Sequence, residues 1–166
     1  MALCPERLVD PLTFDRLEVG ASWTSPGRTV TEADIVNFAC TTGDFNPLHV
    51  DHDFASRTPF RKPIAHGLLG LAWVAGLQSG APRVDTVAFL GIRNWQFLHP
   101  LFAGDTIHVE CSVIGKEATG RRSGQVVWNH RLVKQNGQVC QQGEFVTLVR
   151  IDRKRDAVGD EGVAGS

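Results

Sequence analysis

The chain has no closely spaced cysteine pair, no charge excess and no apolar run long enough to cross a bilayer. Each absence removes a class of function. Its four cysteines, Cys4, Cys40, Cys111 and Cys140, stand far apart and form no CxxC. They read as reduced, packed thiols of a cytosolic protein, not as a disulfide frame or a zinc site. A formal net charge of -1 over 166 residues supplies no field to recruit nucleic acid or an anionic membrane. The longest apolar stretch, Gly67 to Leu77, is too short to span hydrocarbon. Met1 to Pro11 carries no apolar segment of the kind that targets secretion, so a cytoplasmic location is the expectation. A glycine-rich phosphate loop, a GxSxG elbow and a reactive-cysteine signature are also missing.

The apolar content of 42% is that of an ordinary globular protein, and the length suits one domain able to enclose a core. Residues 1–18 read as an N-terminal arm, 19–152 as a single domain and 153–166, mixed in charge with Gly and Ala, as a disordered tail. Trp23 to Thr31 reads as a first strand. Thr31 reads as the N-cap of a helix, because its hydroxyl can accept a first-turn amide and Glu32 and Asp34 suit the positive helix end. Gly43 ends that helix. Asp44 to His49 reads as irregular, since Pro47 lacks an N–H and biases Asn46 away from helix. Asp51 to Ser56 follows as a short helix capped by Asp51.

His66 to Gln78 is apolar on nearly every side, the mark of a buried helix. Strand patterns follow. Ile107, Val109, Cys111 and Val113 alternate with His108, Glu110 and Ser112. Asn136-Gly137 marks a hairpin, and Phe145, Thr147, Val149 and Ile151 alternate in the last strand. Four long antiparallel strands cannot bury a face by themselves, and the apolar helix is their cover. The reading is an α+β fold, an antiparallel sheet curved around a central helix.

Asp44 and His49, an acid and an imidazole five positions apart around Pro47, form a candidate general-base pair for one water. Spacing alone also fits a plainer role, with Asp44 finishing a helix-end turn and His49 a satisfied buried histidine. Gly67 opens the apolar helix, where its amide can point at a ligand carbonyl, or it serves only close packing. His49-Val50-Asp51-His52-Asp53 holds two histidines and two acids, but consecutive side chains splay around a helix start, so no metal is expected. The basic pairs Arg61-Lys62 and Arg121-Arg122 read as solvated turns or as contacts for the phosphates of a nucleotide-bearing substrate.

Together these residues resemble the MaoC-like dehydratase family, which includes the (R)-specific enoyl-CoA hydratases of the hot-dog fold. Gly43-Asp44-Phe45-Asn46-Pro47-Leu48-His49-Val50-Asp51 is similar to the family's hydratase motif. Phe60 to Leu69, with Ile64-Ala65-His66-Gly67 at its centre, resembles the loop leading into the central helix. Pro100 to Thr106 is similar to its strand entry. The resemblance runs from about Val19 to Ile151. It implies a hydro-lyase acting on a 2-enoyl or (R)-3-hydroxyacyl thioester, with Asp44 and His49 catalytic and Gly67 donating to the thioester carbonyl. Asn46 would organise the loop and, with Ile64, Ala65, His66 and Leu68, help to bind substrate. Ala75 stands where some relatives place a serine, and the bulk of Trp73 could shorten an acyl pocket.

No cofactor is implied, because CoA or a carrier phosphopantetheine belongs to the substrate. The expected assembly is a homodimer or a dimer of dimers. An acyl carrier protein is a possible partner, and neither nucleic acid nor membrane is expected. Two other activities stay open, a hot-dog thioesterase and a non-catalytic acyl-thioester-binding subunit.

Overall fold

In a computed structural model, residues 10–152 are described. The first nine residues of the expected arm and the expected tail lie outside them. Four long strands and two short ones form one antiparallel sheet. These are β1 (Ser22–Thr24), β2 (Arg28–Thr29), β3 (Thr86–Phe97), β4 (Thr106–Ala118), β5 (Ser123–Lys134) and β6 (Val139–Arg150). The strand order is β1-β4-β5-β6-β3, with β2 also on β4. Helices α1 (Glu32–Thr42), α2 (Pro47–Val50), α3 (His52–Ser56) and α4 (Gly67–Gln78) all precede β3. The apolar helix α4 lies across β4 and β5. This is the expected hot-dog arrangement.

The core follows from the two-residue period of the strands. Ile107, Val109, Cys111 and Val113 of β4 are buried, as are Val126, Trp128 and Leu132 of β5, and Leu69, Trp73 and Val74 of α4 close the layer from above. Each large side chain taken out of water contributes about 1.5–3 kcal/mol. Burial pushes the thiols of Cys111 and Cys140 up to about 11, so both stay protonated and inert at neutral pH.

Local signals act as expected at α1. Thr31 and Asp34 cap each other's backbone amides, and Gly43 takes a left-handed φ of 79°. The single strand expected over Trp23–Thr31 is two short ones. Pro26 has no amide proton to give between them, while Ser25 holds that crossing to β4 through bonds to and from Val109. The last strand begins at Val139, before the alternation seen in the sequence. Part of the segment read as an arm is packed: Phe14 and Leu17 are buried, and the Lys116 ammonium donates to both their carbonyls at 2.8 and 2.6 Å.

One expectation about α4 is corrected. It is apolar all round, but only Leu69, Gly70, Trp73 and Val74 are buried. Leu68 is 61% exposed, because the sheet curls around one side of the helix only. No helix among the described residues is long and apolar enough to cross a membrane.

Candidate functional site

The loop after α1 is built from nested side-chain caps. The Thr42 hydroxyl accepts from the Asp44 amide, Asp44 Oδ1 from the Asn46 amide at 3.3 Å, and Asn46 Oδ1 from the Leu48 amide at 3.0 Å. Asn46 is thereby the N-cap of α2, with Pro47 in the first turn. The irregular reading of Asp44 to His49 is corrected here. A proline obstructs a helix interior but fits a first turn, where its missing N–H has no intrahelical acceptor to lose. His49 consequently sits on one turn of helix and not on free loop.

Two histidines tie this loop to the start of α4. His49 Nδ1 lies 2.7 Å from the Ile64 carbonyl, and His66 Nε2 lies 2.9 Å from the Asp44 carbonyl. A carbonyl only accepts, so each of these nitrogens carries the proton. His49 Nε2 is therefore the bare, basic nitrogen. The two rings stack with centroids 3.8 Å apart and planes at 29°, and Phe38 lies 5.0 Å from His66. His66 is 3% exposed and is the N-cap residue of α4.

The Asp44 carboxylate, 54% exposed, stands 3.9 Å from His66 Nε2. Asp44, His49 and His66 each bring one polar atom within 4.8 Å of the others. A separation of that order is one that a single water, with hydrogen bonds of about 2.8 Å on each side, is able to span. The trio also has the make-up of a metal site, but the proton of His66 Nε2 is committed to a backbone carbonyl. Of the three, Asp44 and His49 are left with lone pairs to offer. The His49–Asp53 run is likewise dispersed: Asp51 caps α3, and Asp53 pairs with Arg57 at 2.6 Å.

At the first turn of α4 the Leu69 and Gly70 amides both reach the His66 carbonyl. The Gly67 and Leu68 amides have no acceptor among the described residues. They form the positive end of the helix, where negative charge is favoured. Beside them lies a cleft of about 270 Å³ lined by Phe60, Ile64, Ala65, His66, Gly67, Phe97 and Gln141, among others. Its far wall, the loop 98–101, is fixed by a bond from the Ala65 amide to the Leu101 carbonyl at 2.8 Å. That loop continues to Asp105, whose carboxylate takes the Phe102 amide and the Lys134 ammonium, both at 2.9 Å. Burial of Asp105 works against its charge, but these donors hold its pKa below the usual carboxylate value.

Of the residues singled out in the sequence, Ile64, Ala65, His66 and Gly67 line this cleft together. His49 stacks on His66 behind it, and Asp44 joins them at the loop. Asn46 is exposed and outside the lining, as is the Leu68 side chain. Trp73 is buried in the core under the Arg28 guanidinium. Ala75 lines a second cleft of about 270 Å³ with Val84, Phe89, Trp128 and Phe145. Lys62 lies over the Phe102 ring at 4.5 Å, and Arg121-Arg122 occupies the turn between β4 and β5. Phe97, Trp95 and Gln141 were not singled out as site residues in the sequence. A signal for Gln141 was present: carrying the parity of Phe145 and Thr147 back along the strand places it on the core face.

Known proteins share this layout. A family model described as MaoC like domain matches residues 18–135. The chain is 33% identical over 137 residues to an (R)-specific enoyl-CoA hydratase of Aeromonas caviae, covering 81% of this chain and 97% of that protein. It is 36% identical over 122 residues to Protein MaoC of Klebsiella aerogenes, covering 71% of this chain and 36% of that longer protein. A solved structure described as a monoamine oxidase regulatory protein from Archaeoglobus fulgius superposes with a TM-score of 0.79 at 35% identity, covering 86% of this chain and 97% of that one.

Proposed function

Because the chain belongs to the MaoC-like domain family, we propose that it is a hydro-lyase interconverting a 2-enoyl thioester and water with the 3-hydroxyacyl thioester, with CoA as the carrier. The observation that carries the reading is the stack of His49 on His66. It joins the Asp44–His49 pair to the residue immediately before the unpaired Gly67 amide. A base for water and a donor for an oxyanion are the two parts this chemistry needs.

In hydration, Asp44 and His49 Nε2 hold one water. The pair takes its proton as the oxygen attacks C3, and the π electrons move to the thioester carbonyl. The enolate oxygen is met by the Gly67 amide, and the proton returns to C2, so one water is consumed and nothing is oxidised. Likeness to the Aeromonas protein supports an (R)-3-hydroxyacyl product. CoA enters as part of the substrate, and no separate cofactor or metal is invoked. A cytoplasmic location and a homodimer belong to the same proposal. The assembly is supported by the uncovered apolar side of α4 and by the free edge of β3, where Phe89, Leu90, Ile92 and Phe97 are exposed.

Asp44→Asn and His49→Ala should each lower kcat for crotonyl-CoA hydration by about 10²–10⁴-fold, the range of general acid–base catalysis, with circular dichroism unchanged. Near-normal turnover in both variants refutes the pair. Release of free CoA thiol in place of hydration would move the reaction to the thioester carbonyl, and binding without turnover would make the chain a non-catalytic subunit.

A further inference from the structure

Gln141 shares the inner face of β6 with Gly143, Phe145 and Thr147, and it is 3% exposed. Its side chain crosses to α4. Nε2 donates to the Gly67 carbonyl at 3.0 Å, and Oε1 accepts from the Trp95 indole N–H at 3.3 Å. An indole N–H only donates and a carbonyl only accepts, so the amide has one orientation. Two glycines make the room for it. A Cβ on Gly70 would collide with the Gln141 amide, and Gly67 lies against the ring of Phe97, the cross-strand neighbour of Gln141. Gly67 and Gly70 are three apart and share one face of the helix.

An amide buried in a core contributes nothing by its burial; unbonded, it costs about 1–3 kcal/mol. An apolar side chain would join sheet to helix at least as well. What an amide adds here is a hydrogen bond to one chosen peptide, that between Gly67 and Leu68, whose N–H is one of the two unpaired donors at the helix end. A donor on a peptide oxygen draws electron density toward it and makes the N–H of the same peptide a stronger donor.

We propose that Gln141 is a positioning residue for the oxyanion-binding end of α4: it fixes and polarises the Gly67–Leu68 peptide through the Gly67 carbonyl. This rests on reading that helix end as the site of the thioester oxygen. Gln141 touches no reacting atom. The Gly67 N–H, which belongs to the preceding peptide, is held through the placement of this first turn, and the Leu68 N–H beside it is the donor that is strengthened; small displacements of a donor are felt in rate.

The test compares the full-length chain with Gln141→Met, which keeps length and loses both hydrogen bonds, and with Gly70→Ala, which puts a methyl where the amide lies. With crotonyl-CoA, both variants should lose kcat by about tenfold, a minor part of the loss seen on deleting an oxyanion donor. KM and the pH dependence of kcat/KM should stay as in the wild type, because the water-holding pair is untouched. In a Gln141→Ala background, Gly70→Ala should cost no further rate. The Leu68 amide proton should move upfield in Gln141→Met while amides beyond the second turn of α4 stay in place. Wild-type kcat in Gln141→Met overturns the inference, as does an equal Gly70→Ala loss with and without Gln141. A wild-type chain inactive on every enoyl thioester instead overturns the reading of the site, and the role of Gln141 falls with it.

Discussion

Replacing Gly67 by proline deletes one backbone N–H while leaving the helix that carries it. Gly67 is the first helical residue of α4, and its amide has no intrahelical acceptor to lose. Proline is well tolerated at that position. The preceding residue must be extended, and His66 already is, at φ -58° and ψ 138°. The added Cβ meets two Phe97 ring atoms at 3.0 Å. Phe97 is 55% exposed, so its ring can give way by the few tenths of an ångström required. Lower entropy of the unfolded chain offsets this strain by about 0.4–1 kcal/mol, and the urea midpoint should barely move.

Gly67→Ala is the control, since it adds the same Cβ and keeps the N–H. If the amide meets the enolate oxygen, the proline variant should fall below the alanine variant in kcat by about 10²–10³-fold, equivalent to about 3–4 kcal/mol. Steady-state hydration of crotonyl-CoA, followed by loss of the conjugated thioester, measures the ratio. Equal kcat in the two variants would show that the amide takes no part, and the oxyanion assignment would have to be abandoned.

The remaining predictions concern stability and assembly. His130 is fully buried on β5, its ring 4.4 Å from that of Phe145, and neither ring nitrogen has a partner among the described residues. Burial pushes its pKa down to about 4 from an ordinary 6.5. As pH falls between those values the unfolded chain binds a proton that the folded chain refuses. Stability is full above about pH 6.5 and declines toward pH 4, by on the order of 3 kcal/mol. Urea titrations should show that slope removed in His130→Phe; parallel pH profiles for the two proteins would refute it. At the β3 edge, Leu90→Lys should convert a sedimenting dimer to a monomer, and a wild-type chain that is already monomeric would rule out this pairing surface.

Much of the site was legible because its parts are local. Asp44 and His49 stand five positions apart around Pro47, and Gly67 stands at the visible start of an apolar run. The alternation in β4 showed its buried side for the same reason, since consecutive side chains on a strand point opposite ways. The first turn at Pro47 was misread because proline stops a helix in its interior and starts one at its end, and nearest-neighbour rules alone do not say which applies. The β3 pattern was blurred by register shifts between Thr86 and Ala88, Phe89 and Gly91, and Arg93 and Gln96, each of which resets the parity that a sequence reader counts.

The chain's own order of residues determined where α1 begins and ends, which face of β4 is inside, where the β5–β6 hairpin turns, and which acid, imidazole and glycine could act together. Only the folded molecule decided that His66 stacks on His49, that Phe97 lies over Gly67, that one apolar side of α4 stays open, and that Gln141 reaches the Gly67 carbonyl across 74 positions of chain. The division has a physical cause. Caps, turns and periodicity are interactions between residues already held close by the backbone, whereas contacts between sheet and helix depend on strand register and curvature, which are settled jointly by the whole core.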